Sequence, residues 1–395
     1  MRRVEKRIKL GVLGDEFFDA AVGRMGGFGW ACRMLATCFN GDRSLGVDVV
    51  FLTGELLATS AGNEINVHGS RLLLRDANRW RLLRRLRRER FDLILTIDYN
   101  LGFRFFFRAM PRTPFAVWVR DPRPPEDVEV ISTLQIPGRE GERPQGIEPM
   151  DCTSLGGIIR ESRWLRRAVL FATTAPYLAG KISGAYGVEP AEALFLPNII
   201  ELKPSSAGKH PQPRVVFLAR LDPYKRPWLV MALARCFPDV EFVVLGQAHF
   251  EGAGAWKPVD LPSNVRLLGH ADEALKAEML SSAWVLVNTS IHEGLAVSFL
   301  EALACETPLL SGQNPESVVS RFGICVGRST GTGMEALPRF AEGLQRLLTD
   351  DALRLRLGRE GRAWVTETHG RARFLKAFEN LCRRAGIAWA APPTI

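Results

Sequence analysis

Residues 284–305 read WVLVNTSIHEGLAVSFLEALAC and contain, in order, an apolar run, a turn and the start of a helix. The run Trp284 to Asn288 is typical of a strand that is buried on both faces of a sheet. Gly294 permits a tight turn after that strand, and the residues that follow open a helix. Strands that alternate with helices build parallel sheets, so this stretch predicts an α/β fold.

The same alternation of short apolar runs and longer helical patterns extends along most of the chain. In the first half the runs are Ile8 to Leu13, Val47 to Leu52, Phe91 to Ile97, Phe115 to Val119 and Ala168 to Ala172; in the second half they are Arg214 to Ala219, Val240 to Leu245, Val265 to Leu268, Trp284 to Asn288, Pro308 to Leu310 and Gly323 to Val326. Two α/β units of similar size, each with a parallel sheet, follow from this pattern. After Gly331 the pattern is purely helical.

A polar stretch rich in proline and serine separates the two units. Residues 203–213 read KPSSAGKHPQP, a composition typical of a domain linker. We therefore predict an N-terminal domain over residues 1–204, a C-terminal domain over 205–368 and a final helix over 369–395. Residues 122–149 contain six of the chain's 24 prolines and show little periodicity. A lid beside a substrate and a plain surface insertion both fit that segment.

The positive charge of the chain is concentrated in one place. The 395 residues carry a net charge of +9, and nine arginines with two acidic residues between Arg71 and Arg90 supply +7 of it. This concentration disfavours a protein that is basic throughout and binds nucleic acid. The amphipathic stretch over residues 78–88 fits two structures: a helix lying on an anionic membrane, and a helix packed on the sheet with its arginines in solvent.

Several other classes are disfavoured by what the sequence lacks. Seven scattered cysteines without a C-x-x-C pair indicate reduced thiols in a cytoplasmic protein. The six histidines form no H-x-x-x-H pair, so we expect no metal site. No apolar run approaches the 18 residues or so of a membrane span. The chain contains neither G-x-x-x-x-G-K-[ST] nor G-x-S-x-G, which argues against P-loop NTPases and α/β-hydrolases.

Charged residues follow two of the predicted strands in the second unit. Arg220 ends the first of these strands, and Lys225 begins the helix after it. Open α/β sheets bind ligands at the carboxyl ends of their strands, and two cations there suit a diphosphate. Surface salt bridges would give the same pattern.

The turn and helix after Trp284 to Asn288 also suit an anion. The N–H groups of Leu295 to Ser298 would point out of a helix N-terminus beside Glu293. Glu301, one turn further on, leans back toward that end and can reach a hydroxyl beside the anion. An acid that complements the helix dipole, together with a solvated glutamate, would explain the same residues.

These segments together resemble a known family. A-R-L-x-x-x-K at residues 219–225 and E-x7-E at 293–301, with Asn264 to His270 between them and Leu196 to Asn198 before them, are similar to the retaining glycosyltransferases of family GT4 (glycosyl transferases group 1). The resemblance is strong over about residues 194–312. It implies a GT-B fold: two Rossmann-like domains with parallel sheets facing a central cleft, and a last helix that crosses back to the first domain.

The resemblance also implies an activity, the transfer of a sugar from a nucleotide diphosphate sugar to an acceptor hydroxyl without a metal or other cofactor. Arg220 and Lys225 would neutralise the donor diphosphate and Glu293 would face the sugar, so these three are the expected catalytic residues. Glu301 would bind the ribose, and Arg120 with Asp121 occupies the position of a family histidine that contacts the sugar. The expected substrate-binding residues are Gly26, Gly27, Arg120, Asp121, Leu268, Gly294, Leu295, Ala296, Val297, Ser298 and Glu301.

The partners expected from the resemblance are a nucleotide-sugar donor and an acceptor that is a glycan, a lipid-linked saccharide or a small molecule. Contact with the cytoplasmic membrane face through Arg71 to Arg90 is a further hypothesis, and no nucleic acid is expected. Two other functions remain open from the sequence. One is a nucleotide-sugar epimerase or hydrolase of the same fold. The other is a non-catalytic basic binding protein that uses Arg71 to Arg90.

Overall fold

The computed structural model describes residues 7–18, 26–53, 64–67, 69–139, 141–148, 150–201, 204 and 208–392. His68 and most of the linker at 203–207 lie outside the described residues. The chain forms two compact units. The first consists of Met1–Pro124, Met150–Ile199 and Arg371–Ile395, and the second of Pro125–Pro149 and Ile200–Gly370.

In the first unit, the described residues form one sheet of eight strands covered by helices. The strands are β1 (Ile8–Gly14), β2 (Val47–Thr53), β3 (Glu64–Val67), β4 (Ser70–Leu73), β5 (Leu93–Ile97), β6 (Phe115–Val119), β7 (Val169–Thr173) and β8 (Ala193–Phe195), and the helices of this unit are α1 (Gly27–Leu35), α2 (Arg79–Glu89), α3 (Arg104–Ala109), α5 (Leu155–Trp164), α6 (Ile182–Tyr186) and α13 (Arg371–Arg384). The strand order is β3-β4-β2-β1-β5-β6-β7-β8. All neighbours are parallel except β3 and β4.

In the second unit, the described residues form a six-stranded, fully parallel sheet. Its strands are β9 (Arg214–Leu218), β10 (Glu241–Leu245), β11 (Val265–Gly269), β12 (Val285–Asn288), β13 (Leu309–Ser311) and β14 (Gly323–Cys325), and its helices are α4 (Pro125–Ser132), α7 (Pro227–Cys236), α8 (Glu273–Ser282), α9 (Val297–Ala304), α10 (Val318–Phe322), α11 (Leu337–Thr349) and α12 (Asp351–His369). The strand order is β11-β10-β9-β12-β13-β14.

The predicted α/β class is confirmed, and the strands that the sequence missed have a common explanation. Many of the runs of Val, Ile, Leu and Phe that predicted strands are central strands such as β2, β5 and β6, whose residues are almost all buried. The missed strands β3, β4 and β8 have three or four residues and lie at or next to a sheet edge. None of the three contains an apolar run as long as that of β2, β5 or β6.

The helix α13 packs on the first unit, as the sequence led us to expect. Phe378 lies against Phe39 with the ring centroids 4.9 Å apart, and Phe374 lies beside both Phe39 and Trp118. The Arg371 guanidinium pairs with the Asp42 carboxylate at 2.6 Å. The C-terminal residues therefore complete the core of the unit in which the chain begins.

The arginine-rich helix α2 has a buried side and a solvent side. Leu82 and Leu86 are buried in the core of the first unit. Arg85 donates to the Leu74 carbonyl at 2.7 Å. The Trp80 side chain is 74% exposed, and Arg84 is exposed as well. In the part of the chain that the structure describes, no helix is long and apolar enough to cross a bilayer.

Residues 125–149, the inserted segment, are part of the second unit although their neighbours on both sides in sequence belong to the first. Ile131, Leu134 and Ile136 lie in the same buried cluster as β9 residues such as Phe217. Glu142 accepts a hydrogen bond from the Gly254 N–H at 2.8 Å. The inserted segment therefore contributes to the core of the second unit, which a plain surface insertion would not do.

Substitution of Leu134 by Ala in the inserted segment should destabilise the protein. The side chain is 3% exposed, and its truncation should lower the free energy of unfolding by about 2–4 kcal/mol, because a buried leucine leaves a cavity. Denaturant unfolding followed by tryptophan fluorescence measures this change. The neighbouring exposed Gln135 serves as control, and Gln135→Ala should change stability by less than about 0.5 kcal/mol. Equal, small effects of both substitutions would contradict the core role of the segment.

Candidate active site

Strand pairing brings two of the sequence-predicted segments together. The strands β9 and β12 are parallel neighbours, with Val215 opposite Val285, so their carboxyl ends lie at one edge of the sheet. The loops that follow are tied to each other. The Ile291 N–H donates to the Tyr224 carbonyl at 3.1 Å, and the Thr289 hydroxyl donates to the Lys225 carbonyl at 2.7 Å.

Lys225 and Glu293 form an ion pair at this edge. Lys225 Nζ lies 2.7 Å from Glu293 Oε1, and the two side chains are only 17% and 10% exposed. The same carboxylate oxygen accepts hydrogen bonds from Ser290 Oγ at 2.6 Å and from Asn288 Nδ2 at 3.0 Å. Burial would raise the pKa of Glu293, but the charge of Lys225 and these hydrogen bonds outweigh it and hold the pKa below its ordinary value. The carboxylate is therefore ionised and fixed in position.

Arg220 also lies at the end of β9. Its Nε is 3.2 Å from Oδ2 of Asp222, which is almost fully buried, while the Arg220 side chain is 33% exposed. Asp222 in turn accepts the His249 N–H at 3.0 Å. Gly246 has φ +134°, and a Cβ there would lie 1.9 Å from the Ala219 carbonyl oxygen, so glycine is required where the end of β10 passes this loop.

Arg226, for which the sequence predicts no role, fixes the turn that carries Lys225. It has φ +48° and is almost fully buried. Its guanidinium donates to Ser329 Oγ at 2.9 Å and to the Gly331 carbonyl at 3.0 Å. Burial lowers the pKa of Arg226 to about 10, while Glu335 opposes that effect. In sequence it is one more cation beside Lys225, with nothing to distinguish it.

The helix α9 begins directly after this loop. Ala296 is its N-terminal cap, and among the described residues no side chain bonds to its first N–H groups and no acid lies in its first turn. Leu295 is buried, and Ala296, Val297 and Ser298 are half-buried. The end of a helix with uncapped N–H groups carries a partial positive charge, which suits an anion. Gly294 precedes it in the tied loop.

Glu301 is buried in the second turn of α9 and has a partner that the sequence did not indicate. Its carboxylate pairs with Lys276 Nζ on α8, and these side chains are 5% and 8% exposed. Lys276 also contacts Glu273 at 3.2 Å. Burial would lower the pKa of Lys276, but the two carboxylates outweigh it and raise that pKa. The side chains of Glu293 and Glu301 are at most 10% exposed, and each is paired with a lysine. The alternative explanation, in which one glutamate at this helix is solvated, is therefore wrong.

His292, beside Glu293, is contacted by an acid from the inserted segment. His292 Nδ1 lies 3.6 Å from Asp127 Oδ1, and Arg328 Nη1 lies 3.5 Å from the same oxygen. Asp127 comes from α4, 165 positions earlier in sequence than His292. No local pattern predicts such a contact. Elsewhere at the same edge, Leu268 lies at a bulge between β10 and β11.

The remaining expected residues lie in the first unit. Arg120 is 6% exposed and donates to Asn198 Oδ1 at 2.7 Å. Asp98 accepts the N–H groups of Arg120 and Asp121 at 3.1 and 3.0 Å. Burial raises the pKa of Asp98 to about 6, although a hydrogen bond from the Tyr186 hydroxyl opposes the rise.

The glycine-rich loop of the first unit is occupied by an acidic side chain. Gly26 caps α1, which begins at Gly27. Glu16 Oε2 accepts the N–H groups of Gly26, Phe28 and Gly29 at 3.0, 3.0 and 3.1 Å. In the described ranges, no group of three or more His, Cys, Asp or Glu side chains could hold a metal ion.

Part of the chain matches a known family. Residues 198–364 match the family model of glycosyl transferases group 1. A GDP-mannose-dependent monoacylated alpha-(1-6)-phosphatidylinositol monomannoside mannosyltransferase from Corynebacterium glutamicum is 28% identical over 32% of this chain and 35% of its own length. A D-inositol 3-phosphate glycosyltransferase from Kineococcus radiotolerans is 26% identical over 51% of this chain and 54% of its own length. The chain thus spans a third to a half of the curated relatives it matches.

Similar solved structures define the fold. Sucrose-phosphate synthase from Thermosynechococcus elongatus has a TM-score of 0.70 at 16% identity and covers 96% of this chain and 99% of its own. Anabaena HepE in complex with UDP-glucose has a TM-score of 0.66 at 15% identity, over 95% of this chain and 100% of its own. The fold is GT-B, that of many glycosyltransferases.

Replacement of Glu293 by Gln should destabilise the protein in a pH-dependent way. The folded state favours the ionised carboxylate, so the stabilisation is complete above the ordinary glutamate pKa of about 4.3 and is lost as the pH falls through the lowered value. At pH 7 the variant should lose about 1–3 kcal/mol, because Lys225 is left without its charged partner. The gap should narrow below about pH 4. Unfolding free energies between pH 3 and 8 measure it.

The exposed Glu342 on α11 provides the matched control. Glu342→Gln should leave stability within about 0.5 kcal/mol at every pH. A loss in Glu293→Gln that stayed constant from pH 3 to 8 would show that the ion pair with Lys225 does not govern this carboxylate.

Proposed function

We propose that the protein is a retaining glycosyltransferase that moves a sugar from a nucleotide diphosphate sugar to an acceptor hydroxyl. The observation that carries the proposal is the Lys225–Glu293 pair, with Arg220 beside it at the carboxyl edge of the second sheet. This pair lies inside the stretch that matches glycosyl transferases group 1. The cations suit a diphosphate leaving group, and the carboxylate suits the hydroxyl groups of a sugar.

Lys225 and Arg220 are proposed to neutralise the negative charge that develops on the departing diphosphate, without a metal. Lys225 acts as a point charge, and the planar guanidinium of Arg220 can bind two phosphate oxygens. Each cation is already held by a carboxylate, Glu293 in one case and Asp222 in the other. Because the charges are oriented before the substrate arrives, little reorganisation is needed as the reaction proceeds.

The two glutamates of the E-x7-E motif are proposed to bind hydroxyl groups. Glu293 would accept hydrogen bonds from the donor sugar, and Glu301 from the ribose of the nucleotide. Both are fixed by buried partners, so each presents its carboxylate at a defined place. The first N–H groups of α9, between them in sequence, would bind a phosphate oxygen.

The proposed acceptor carries a free hydroxyl, on a glycan, a lipid-linked saccharide or a small molecule. Among the similar proteins, one is named for a phosphatidylinositol mannoside and another for inositol phosphate. One similar structure contains UDP-glucose, and another contains UDP and GlcNAc. These names support a donor in which a nucleoside diphosphate carries a hexose. Binding measurements with different nucleotides would identify the base of that donor.

We further propose that α2 contacts an anionic membrane surface, where a lipid-linked acceptor would lie. Leu82 and Leu86 are buried in the first unit, whereas Trp80, Arg84 and Arg88 are exposed. An exposed tryptophan beside arginines is the composition of a surface that binds at the lipid headgroups.

A nucleoside diphosphate should bind the protein, and Lys225→Ala should weaken that binding. Thermal shift with UDP, GDP and ADP identifies the base, since ligand at 100 times its Kd adds about 2.7 kcal/mol of stability. With the matching nucleotide sugar as donor, the substitution should remove about 2–4 kcal/mol of transition-state stabilisation, roughly 30- to 1,000-fold in kcat/KM.

The control for Lys225→Ala is Lys257→Ala, at a lysine of the same unit that is 64% exposed. The control should leave binding and turnover unchanged. The absence of any thermal shift with all three nucleotides would contradict the donor site. Release of free sugar or of an epimer without acceptor would identify the protein as a hydrolase or an epimerase.

Substitution of Arg84 and Arg88 by Ala should weaken binding to vesicles that contain phosphatidylglycerol. Each arginine near an anionic surface contributes about 1 kcal/mol, so two should change the partition coefficient roughly 30-fold. Cosedimentation at low and high salt measures the change. The pair Arg346 and Arg359, exposed on α11 and α12, provides the control. Equal sedimentation of both double variants would assign α2 a purely structural role.

A further inference from the structure

Asp127 on α4 is a buried acid of the inserted segment that contacts the loop of Glu293. Its side chain is 3% exposed, and its Oδ1 lies 3.6 Å from Nδ1 of His292, whose side chain is 2% exposed. His292 directly precedes Glu293. Arg328 Nη1 lies 3.5 Å from the same oxygen, but the Arg328 side chain is 55% exposed, so solvent screens that attraction. His292 is therefore the more buried of these two partners of the carboxylate.

The loop that carries His292 and Glu293 is also held through its backbone. Gln313 Nε2 donates to the carbonyl groups of Ser290 and Ile291 at 3.2 and 2.8 Å. These bonds fix the chain before His292, whereas Asp127 contacts the His292 side chain itself. Because the two residues are consecutive, a contact that fixes the orientation of His292 also restricts where the Glu293 carboxylate lies.

The inserted segment is attached to a second loop, residues 327–333, which follows β14. The Gly331 N–H donates to Thr133 Oγ1 at 3.1 Å, and the Gln135 N–H donates to the Gly331 carbonyl at 3.4 Å. Both bonds join the loop to the chain just after α4, the helix of Asp127. One short segment therefore contacts two loops of the second unit.

Arg226 connects the loop 327–333 with Lys225, the residue before it in the chain. The Arg226 guanidinium donates to the hydroxyl and to the carbonyl of Ser329 at 2.9 and 3.1 Å. A Cβ on Gly333 would lie 2.9 Å from Arg226 Nη1, so glycine at this position leaves room for the guanidinium. The two chains of contacts that start at the inserted segment thus end on the two members of one ion pair.

We propose that Asp127 is a positioning residue: its contact with His292 holds Glu293 where the carboxylate pairs with Lys225. This role rests on the proposed function only in giving that ion pair a part in sugar transfer. Asp127 acts through His292 and touches no reacting group. The inserted segment then contributes to the site as well as to the core of the second unit.

NMR of the unsubstituted protein with ¹⁵N-labelled histidine tests the contact directly. A carboxylate beside Nδ1 favours a proton on that nitrogen. At pH 8 the His292 ring should therefore carry a proton on Nδ1. A proton on Nε2 alone would show that Asp127 does not hold the ring and would overturn the proposal. This measurement needs no substitution of Asp127, so it stands even where a variant fails to fold.

Substitution of Asp127 by Ala tests whether the contact positions Glu293. Without its support the carboxylate should move away from Lys225, so the pKa of Glu293 should rise toward its ordinary value. Removal of a nearby negative charge without any movement would lower that pKa instead. Carbon NMR of the glutamate carboxyl groups, with Glu293 assigned through Glu293→Gln, measures the titration without substrate. A pKa that stayed constant or fell would contradict the proposed role.

Glu129→Ala, at an exposed acid of the same helix, is the matched control and should leave the titration of Glu293 unchanged. His292→Ala should raise the pKa of Glu293 as Asp127→Ala does. The double variant should show no more than the larger single effect, because both substitutions remove one contact. Additive effects would mean that Asp127 acts through another group, and the assignment to His292 would fall.

Activity provides a separate readout. Asp127→Ala should lower kcat at least tenfold and change the KM for the nucleotide sugar less than threefold, because a displaced ion pair loses stabilisation that develops in the transition state. Glu129→Ala should change neither constant. If Lys225→Ala lowered kcat and Asp127→Ala did not, the positioning role would be wrong while the proposed function stood. If the protein transferred no sugar, the NMR measurements would still decide the role of Asp127.

Discussion

The candidate site depends on the parallel pairing of β9 and β12. Parallel strands end at the same edge of the sheet, so the loops after Leu218 and Asn288 must meet there. Their backbones are joined through Tyr224 and Ile291, and this contact lets Lys225 reach Glu293 across 68 positions of sequence. The buried Arg226 also fixes this turn, through its hydrogen bond to Ser329 Oγ. The ion pair is thus a consequence of sheet topology, completed by a few buried polar contacts.

In each of the two units, several charged groups are held by charges or dipoles of the protein itself. Lys225 is held by Glu293, Glu301 by Lys276, and Glu16 by the N–H groups of α1. Such pairs keep buried charges ionised and fixed, which favours an electrostatic role with little reorganisation. These pairs also limit which ligands can bind, because a ligand must offer interactions as favourable as those that it replaces. The selectivity of such a site for its ligand therefore depends on the partner with which the ligand must compete at each charge.

The inserted segment shows that the second unit is not the one continuous stretch of sequence that the sequence pattern had predicted. Its prolines and mixed charge look like a loop, yet Ile131, Leu134 and Ile136 lie in the core of the second unit. From the same segment Asp127 reaches His292, next to the motif glutamate. Three apolar residues at irregular spacing carry no helical or strand period. Only the burial that they acquire in the folded chain identifies them as core.

The sequence by itself determined the α/β class, the division into two units with a returning last helix, and the positions of the motif residues at strand ends. It could do so because apolar periodicity and strand–turn–helix order are local properties of the chain. Only the tertiary structure decided the partners of those residues. Lys276 for Glu301, Asp127 for His292 and Glu16 for the loop at Gly26 are contacts between residues ten or more positions apart in sequence. Such contacts leave no local pattern, because they arise from the way strands and helices pack rather than from the order of residues within them.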